Sequence, residues 1–152
     1  MSVCCFTGHR ALSLAEQQQI LPNLMSEIEK LINRGVTVFR NGGALGFDTL
    51  AAICVLGLRK KYPNVKLYID VPHKGQDARW NEMQQNVYAY ILKSADKVTY
   101  LSEEYYSGCM QARNRHMVDR SDYVLAYIRR TSGGSYYTAA YAEAQDKTVV
   151  YL

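Results

Sequence analysis

Five short segments of this 152-residue chain combine glycine with basic, hydroxyl or amide side chains: TGHR (Thr7–Arg10), NGGALGFD (Asn41–Asp48), PHKGQDARW (Pro72–Trp80), SEEYYSGCMQARNR (Ser102–Arg115) and RRTSGGS (Arg129–Ser135). These residue types suit the capture of an anion. Glycine lets the backbone approach closely, and a following helix offers unpaired N–H groups at the positive end of its dipole. Arginine forks and hydroxyls supply the side-chain contacts that phosphate favours. The expected ligand is a nucleotide or a nucleotide derivative, such as an ADP-ribose-like or cyclic species. In that reading Gly42, Gly43, Gly133 and Gly134 cradle phosphate through backbone N–H groups, and Arg10 and Arg113 neutralise its charge. Tyr105, Tyr106 or Tyr136 flank the base.

Familiar nucleotide fingerprints do not fit. GGALGFD lacks the Gly-Lys-Ser/Thr ending of a P-loop, and it lacks GxGxxG spacing. Plainer readings stand beside the ligand reading. Gly42, Gly43 and Gly46 can simply turn the chain, as can Gly133 and Gly134. Asp48 can serve only the helix dipole. Arg113, Arg115 and Arg120 fit a solvated basic face, and exposed tyrosines often line a subunit interface. The coincidence of all these features on one edge of the fold favours a binding site.

The elements that would create that edge alternate regularly. Ser2–Phe6, Val36–Arg40, Val65–Val71, Lys97–Leu101, Tyr123–Ile128 and Thr148–Leu152 read as strands. Ser13 with Glu16 forms a capping box, and Leu21, Leu24, Met25, Ile28, Leu31 and Ile32 follow at helical spacing. Pro22 is expected to kink this helix or restart it, and Gly35 to end it. Phe47, Leu50, Ala51, Cys54 and Leu58 share a second helical face; Trp80, Met83, Val87 and Ile91 define a third. Helices near Met110–Arg120 and Tyr136–Gln145 complete the series. The pattern implies one domain over residues 1–152: an α/β, Rossmann-like three-layer sandwich. Its mostly parallel sheet has about six strands, with helices on both faces. All strand-to-helix loops then emerge on one edge, where such sheets bind ligands.

Composition narrows the function classes. The apolar fraction is 48%, charged residues are 21% and the net charge is +4, mild for a nucleic-acid binder. No apolar run is long enough to span a bilayer, and the start lacks signal-peptide character, so a cytoplasmic protein without membrane contact is expected. Cys4, Cys5, Cys54 and Cys109 show no CxxC spacing and the three histidines no paired spacing, so neither metal nor cofactor is expected.

Together TGHR, GGALGFDTLAA, GQDARW, SEEYYSGCMQARNRHMVDRSD and SGGSYYTAAYA resemble the YpsA-like branch of the SLOG superfamily, in the family's order and over essentially the whole chain. The resemblance implies the same Rossmann-like fold. It also implies ligand positions at Thr7, Gly8 and Arg10, at Gly42, Gly43, Gly46 and Asp48, at Arg113, and at Ser132, Gly133, Gly134 and Ser135. The wider superfamily includes DprA proteins, LOG-type phosphoribohydrolases and nucleotide-signal sensors. LOG-type enzymes carry PGGxGTxxE, whose glutamate serves N-glycosidic cleavage. Here the text is SGGSYYTAAYAE, with Tyr137 at the threonine position and Ala140 at the glutamate position. Glu143, one turn later, is the weak catalytic candidate. The leading expectation is therefore a binding protein, a sensor or a sequestering protein, that is not an enzyme. Phosphoribohydrolase activity is the alternative, and DprA-like single-stranded DNA binding ranks third. A homo-oligomer is expected, because small α/β sandwiches often complete ligand sites between subunits.

Overall fold

The computed structural model describes residues 2–152. Strands and helices alternate throughout: β1 (Ser2–Gly8), α1 (Leu14–Asn33), β2 (Val36–Asn41), α2 (Phe47–Leu58), β3 (Lys66–Val71), α3 (Glu82–Ser94), β4 (Lys97–Tyr100), α4 (Cys109–Asp119), β5 (Tyr123–Tyr127), α5 (Gly134–Ala144) and β6 (Thr148–Tyr151). The six strands form one parallel sheet in the order β4-β3-β2-β1-β5-β6. The chain thus starts mid-sheet, builds outward to β4, then returns to place β5 beside β1. Between β1 and β5 lies the topological switch point, where loops diverge and leave a crevice. The expected Rossmann-like three-layer architecture is what the chain adopts.

Period-2 alternation assigns the strand side chains to two cores. Phe6, Phe39 and Leu67 pack with Leu24 and Ile28 of α1 and Val55 of α2. Cys5 and Val124 pack on the other face with Met117 and Val118 of α4 and Ala142 of α5. Adjacent Cys4 and Cys5 therefore serve opposite faces. All four cysteines are buried free thiols, and burial pushes Cys5 and Cys54 up to about 12, so they act as small apolar side chains.

Helix boundaries follow local chemistry. The Ser13 hydroxyl accepts the Glu16 N–H at 3.1 Å, and the Glu16 carboxylate accepts the Ser13 N–H at 3.3 Å. The second Glu16 oxygen accepts from the Tyr127 hydroxyl at 3.0 Å, fastening the start of α1 to the end of β5. Gly35, at φ 103°, ends α1. Pro22 does not restart the helix: α1 runs unbroken through it. The carbonyl that Pro22 deprives of a donor belongs to Gln18, which is exposed to solvent. The third helix also differs from expectation. Trp80 precedes its cap, Asn81, and Met83 is exposed; Val87 and Ile91 pack on the core as expected, and Tyr88 is buried with them. Among the described residues no helix is long and apolar enough to cross a membrane.

Candidate functional site

A cavity of about 630 Å³ opens at the switch point. It is bounded by the loop after β1, by Ala44 and Asp48 after β2, by the start of α4, and by the Arg130–Ser135 segment entering α5. Arg10, Arg113 and Arg130 line it against a single carboxylate, Asp48. Its size suits a nucleotide-sized ligand.

The helices divide by how their first turns are completed. Helices α1 and α3 start away from this cavity and carry full capping boxes plus an acid, Glu16 or Glu82, in the first turn. Helices α4 and α5 start at the cavity on Gly108 (φ 92°) and Gly133 (φ 97°). Neither has a side-chain cap or a first-turn acid. The first N–H of α4, that of Cys109, donates to the Tyr106 carbonyl at 3.1 Å; the positive dipole ends of both helices meet the cavity with no acid in their own first turns. Thr7 is 5% exposed, lines the same cavity, and its hydroxyl has no hydrogen-bond partner among the described residues.

The glycine cluster after β2 is arranged differently. The Gly43 N–H donates to the Asn41 side-chain oxygen at 2.7 Å, and the Ala44 N–H to Asp48 Oδ2 at 3.3 Å. This loop does cradle an anion, and the anion is the chain's own. Arg113 lies over it, donating from Nη1 to the Gly42 carbonyl at 2.6 Å and from Nε to Asn114 at 2.9 Å. Burial raises the Asp48 carboxyl, opposed first by Arg113; burial lowers Arg113, opposed first by Asp48. In both groups desolvation outweighs attraction, as in a buried pair that fixes geometry more than it adds stability.

Two glycines let the loops close on one another. A Cβ on Gly8 would collide with the Phe47 ring, and one on Gly46 with the His9 and Arg10 carbonyls. His9 is buried beneath, its Nε2 accepting the Arg129 N–H at 2.8 Å. Burial, then Arg130, holds this imidazole below its usual range, so it is neutral near pH 7.

Thr7, Gly8, Arg10, Asp48, Arg113, Ser132, Gly133, Gly134, Ser135 and Tyr105 all line the cavity. Gly42, Gly43 and Gly46 lie behind its wall, and exposed Tyr106 stands outside it. Tyr136 and Glu143 line a neighbouring cavity, where Glu143 accepts from the Tyr151 hydroxyl. No glutamate lines the first cavity. His9, Gly108 and Arg130 join the site unforeseen. Gly108, a glycine directly ahead of a helical pattern, was the one readable signal among them.

The signature of the YpsA family, described as the YspA SLOG family, matches residues 4–151. The SPbeta prophage-derived protein YoqJ of Bacillus subtilis is 33% identical over 133 residues, covering 79% of this chain and 78% of that protein. Among solved structures, DNA processing protein A (DprA) of Streptococcus pneumoniae aligns over 99% of this chain with a TM-score of 0.71 at 19% identity. DprA of Helicobacter pylori, described in terms of its single-stranded DNA binding mode, aligns over 99% with a TM-score of 0.65 at 21% identity. The chain spans 50% of the first DprA and 64% of the second, and at these identities the likeness is one of fold.

Proposed function

This chain belongs to the YpsA family of SLOG proteins, and we propose that it binds a phosphate-bearing, nucleotide-derived small molecule in the switch-point cavity. One observation carries the reading: α4 and α5 start on glycine at the same cavity with neither a side-chain cap nor a first-turn acid. By contrast, α1 and α3 carry full capping boxes, and α2, also starting on glycine, has Asp48 in its first turn. Arg10, Arg113 and Arg130 add positive charge, and the lone carboxylate among the lining residues is held by the Asn41–Asp48 loop. Phosphate oxygens meet the first turns of α4 and α5, and the Thr7 hydroxyl completes the contacts from below. The role is capture, by a sensor or a sequestering protein working as a homo-oligomer in the cytoplasm. N-glycosidic cleavage finds little support, because Glu143 belongs to the neighbouring cavity and is engaged by Tyr151.

Native mass spectrometry and calorimetry with a panel of nucleoside mono- and diphosphates and ADP-ribose test this. Arg10 is exposed, so Arg10→Ala should keep the fold and weaken binding about ten-fold. No binding by any phosphorylated member of the panel would overturn the reading. The second reading, an oligonucleotide laid along the same edge, draws on the fold shared with H. pylori DprA. Oligonucleotide affinity falling steeply with salt, alongside silence toward mononucleotides, would favour it.

A further inference from the structure

Beside the first cavity lies a second, of about 480 Å³, on the other side of the segment that leads into α5. Ala139 and Ala140 line it with the rings of Tyr136 and Tyr151, and Glu143 and Arg130 bring charge to it. Arg130 lines both cavities and makes no hydrogen bond or ion pair among the described residues, so it is free to serve either. Arg129 is fixed: its guanidinium sits 4.2 Å from the Tyr127 ring centroid and donates to the Leu152 carbonyl at 2.9 Å.

Those features suit a flat heterocycle. Small alanine side chains leave a shallow floor, and two tyrosine faces are stacking surfaces for any base. Glu143 accepts one hydrogen bond from the Tyr151 hydroxyl, which leaves most of its lone-pair capacity unused. A carboxylate discriminates between purines. Guanine presents two adjacent donors, N1–H and N2–H, that match it as a pair, whereas adenine sets a donor beside the acceptor N1.

We propose that this second cavity receives the purine base of the ligand whose phosphates occupy the first, and that Glu143 makes guanine preferred over adenine. The proposal rests on the phosphate-binding reading above and adds to it a separate base site joined through Arg130. Of the aromatic contacts expected from the sequence it keeps Tyr136, sets aside Tyr105 and Tyr106, and adds Tyr151.

Calorimetry with GDP, ADP and ribose 5-phosphate, at one ionic strength, tests it on the wild type, Tyr151→Ala and Glu143→Gln. Tyr151 is 54% exposed and Glu143 is exposed, so both variants should fold, and thermal melts check this. GDP should bind the wild type at least ten-fold more tightly than ribose 5-phosphate. Tyr151→Ala should reduce GDP affinity about ten-fold while leaving ribose 5-phosphate unchanged. Glu143→Gln should erase the preference of GDP over ADP. Equal affinities for GDP and ribose 5-phosphate would overturn the base site while leaving the phosphate site standing. So would a Tyr151→Ala protein that binds GDP like the wild type, or that changes only its sedimentation, because that face would then be a subunit contact. Failure of all three ligands on the wild type would instead remove the phosphate reading, and the base site with it.

Discussion

Gly42→Ala isolates what the glycine cluster does. Gly42 has an ordinary backbone conformation, so alanine adds no φ strain there. Its cost is steric and specific. The new Cβ would lie 2.6 Å from Cζ of Arg113 and 2.8 Å from Oδ2 of Asp48, against roughly 3.5–4.0 Å for a relaxed contact. Relief needs the guanidinium to retreat by about 1 Å, which stretches its 2.6 Å bond to the Gly42 carbonyl beyond hydrogen-bond range. Arg113 is only 3% exposed, so water cannot replace the lost partner. A buried hydrogen bond to a charged group is worth about 1.5–3 kcal/mol. For a chain of this length that is a fall in Tm of roughly 4–10 °C. Gly57→Ala is the control: nothing lies within 4 Å of its Cβ and the site is inside α2, so a gain of about 0.5–1 kcal/mol is expected. Thermal melts by circular dichroism read both changes. In an Arg113→Met background the Gly42→Ala penalty should shrink, because the clashing group is gone. A Gly42→Ala protein melting within about 1 °C of the wild type would refute the claim that Arg113 is locked over the loop.

Three further outcomes are expected. The Asp48 carboxyl is raised by burial and held down chiefly by Arg113, so a raised carboxyl loses stability as pH climbs above its unfolded value, 3.8. Arg113→Met raises it further; urea midpoints should show its deficit against the wild type growing from pH 4 to pH 7, and a pH-independent deficit would contradict this. Ser13→Ala removes the α1 cap and should cost about 1 kcal/mol by urea denaturation, with ligand affinity unchanged. Ser135→Asp places an acid in the first turn of α5, so the melt should rise by about 0.3–1 kcal/mol equivalent while nucleotide affinity falls at least ten-fold. A variant that binds as well as the wild type would show that α5 does not face the phosphate.

Much of the architecture was legible because its signals are local. The Ser13–Glu16 capping box, Gly35 after the first helix and the strand–helix alternation each depend on a few neighbouring residues, and each appears as read. Alternation also predicts that decorated loops share one edge, and ten of the named candidates do line one cavity. What escaped depends on distant partners. NGGALGFD reads alike whether its N–H groups face a ligand or Asp48, and Arg113, which decides the matter, lies 71 residues downstream of Gly42. Of the four positions read as the face of α3, Val87 and Ile91 do pack on the core, whereas Met83 is exposed and Trp80 lies ahead of the helix, its ring against buried Tyr88. Only the Asn81 cap fixes where the turn count begins. Glu143 lay one turn from the glutamate position of a LOG-type motif, yet it lines a different cavity.

The carboxylate seated in the Asn41–Asp48 loop has a consequence for how occupancy is felt. A loop built to close on an incoming phosphate must become ordered when the phosphate arrives; this one completes its hydrogen bonds as the chain folds. The opposite wall is less complete: there α4 and α5 start on Gly108 and Gly133 with no side-chain cap and no first-turn acid. Helices α4 and α5 pack against each other on the face of the sheet away from α1 and α2. Under the proposed capture, ligand-dependent protection from hydrogen exchange is expected first on that face, in the opening turns of α4 and α5.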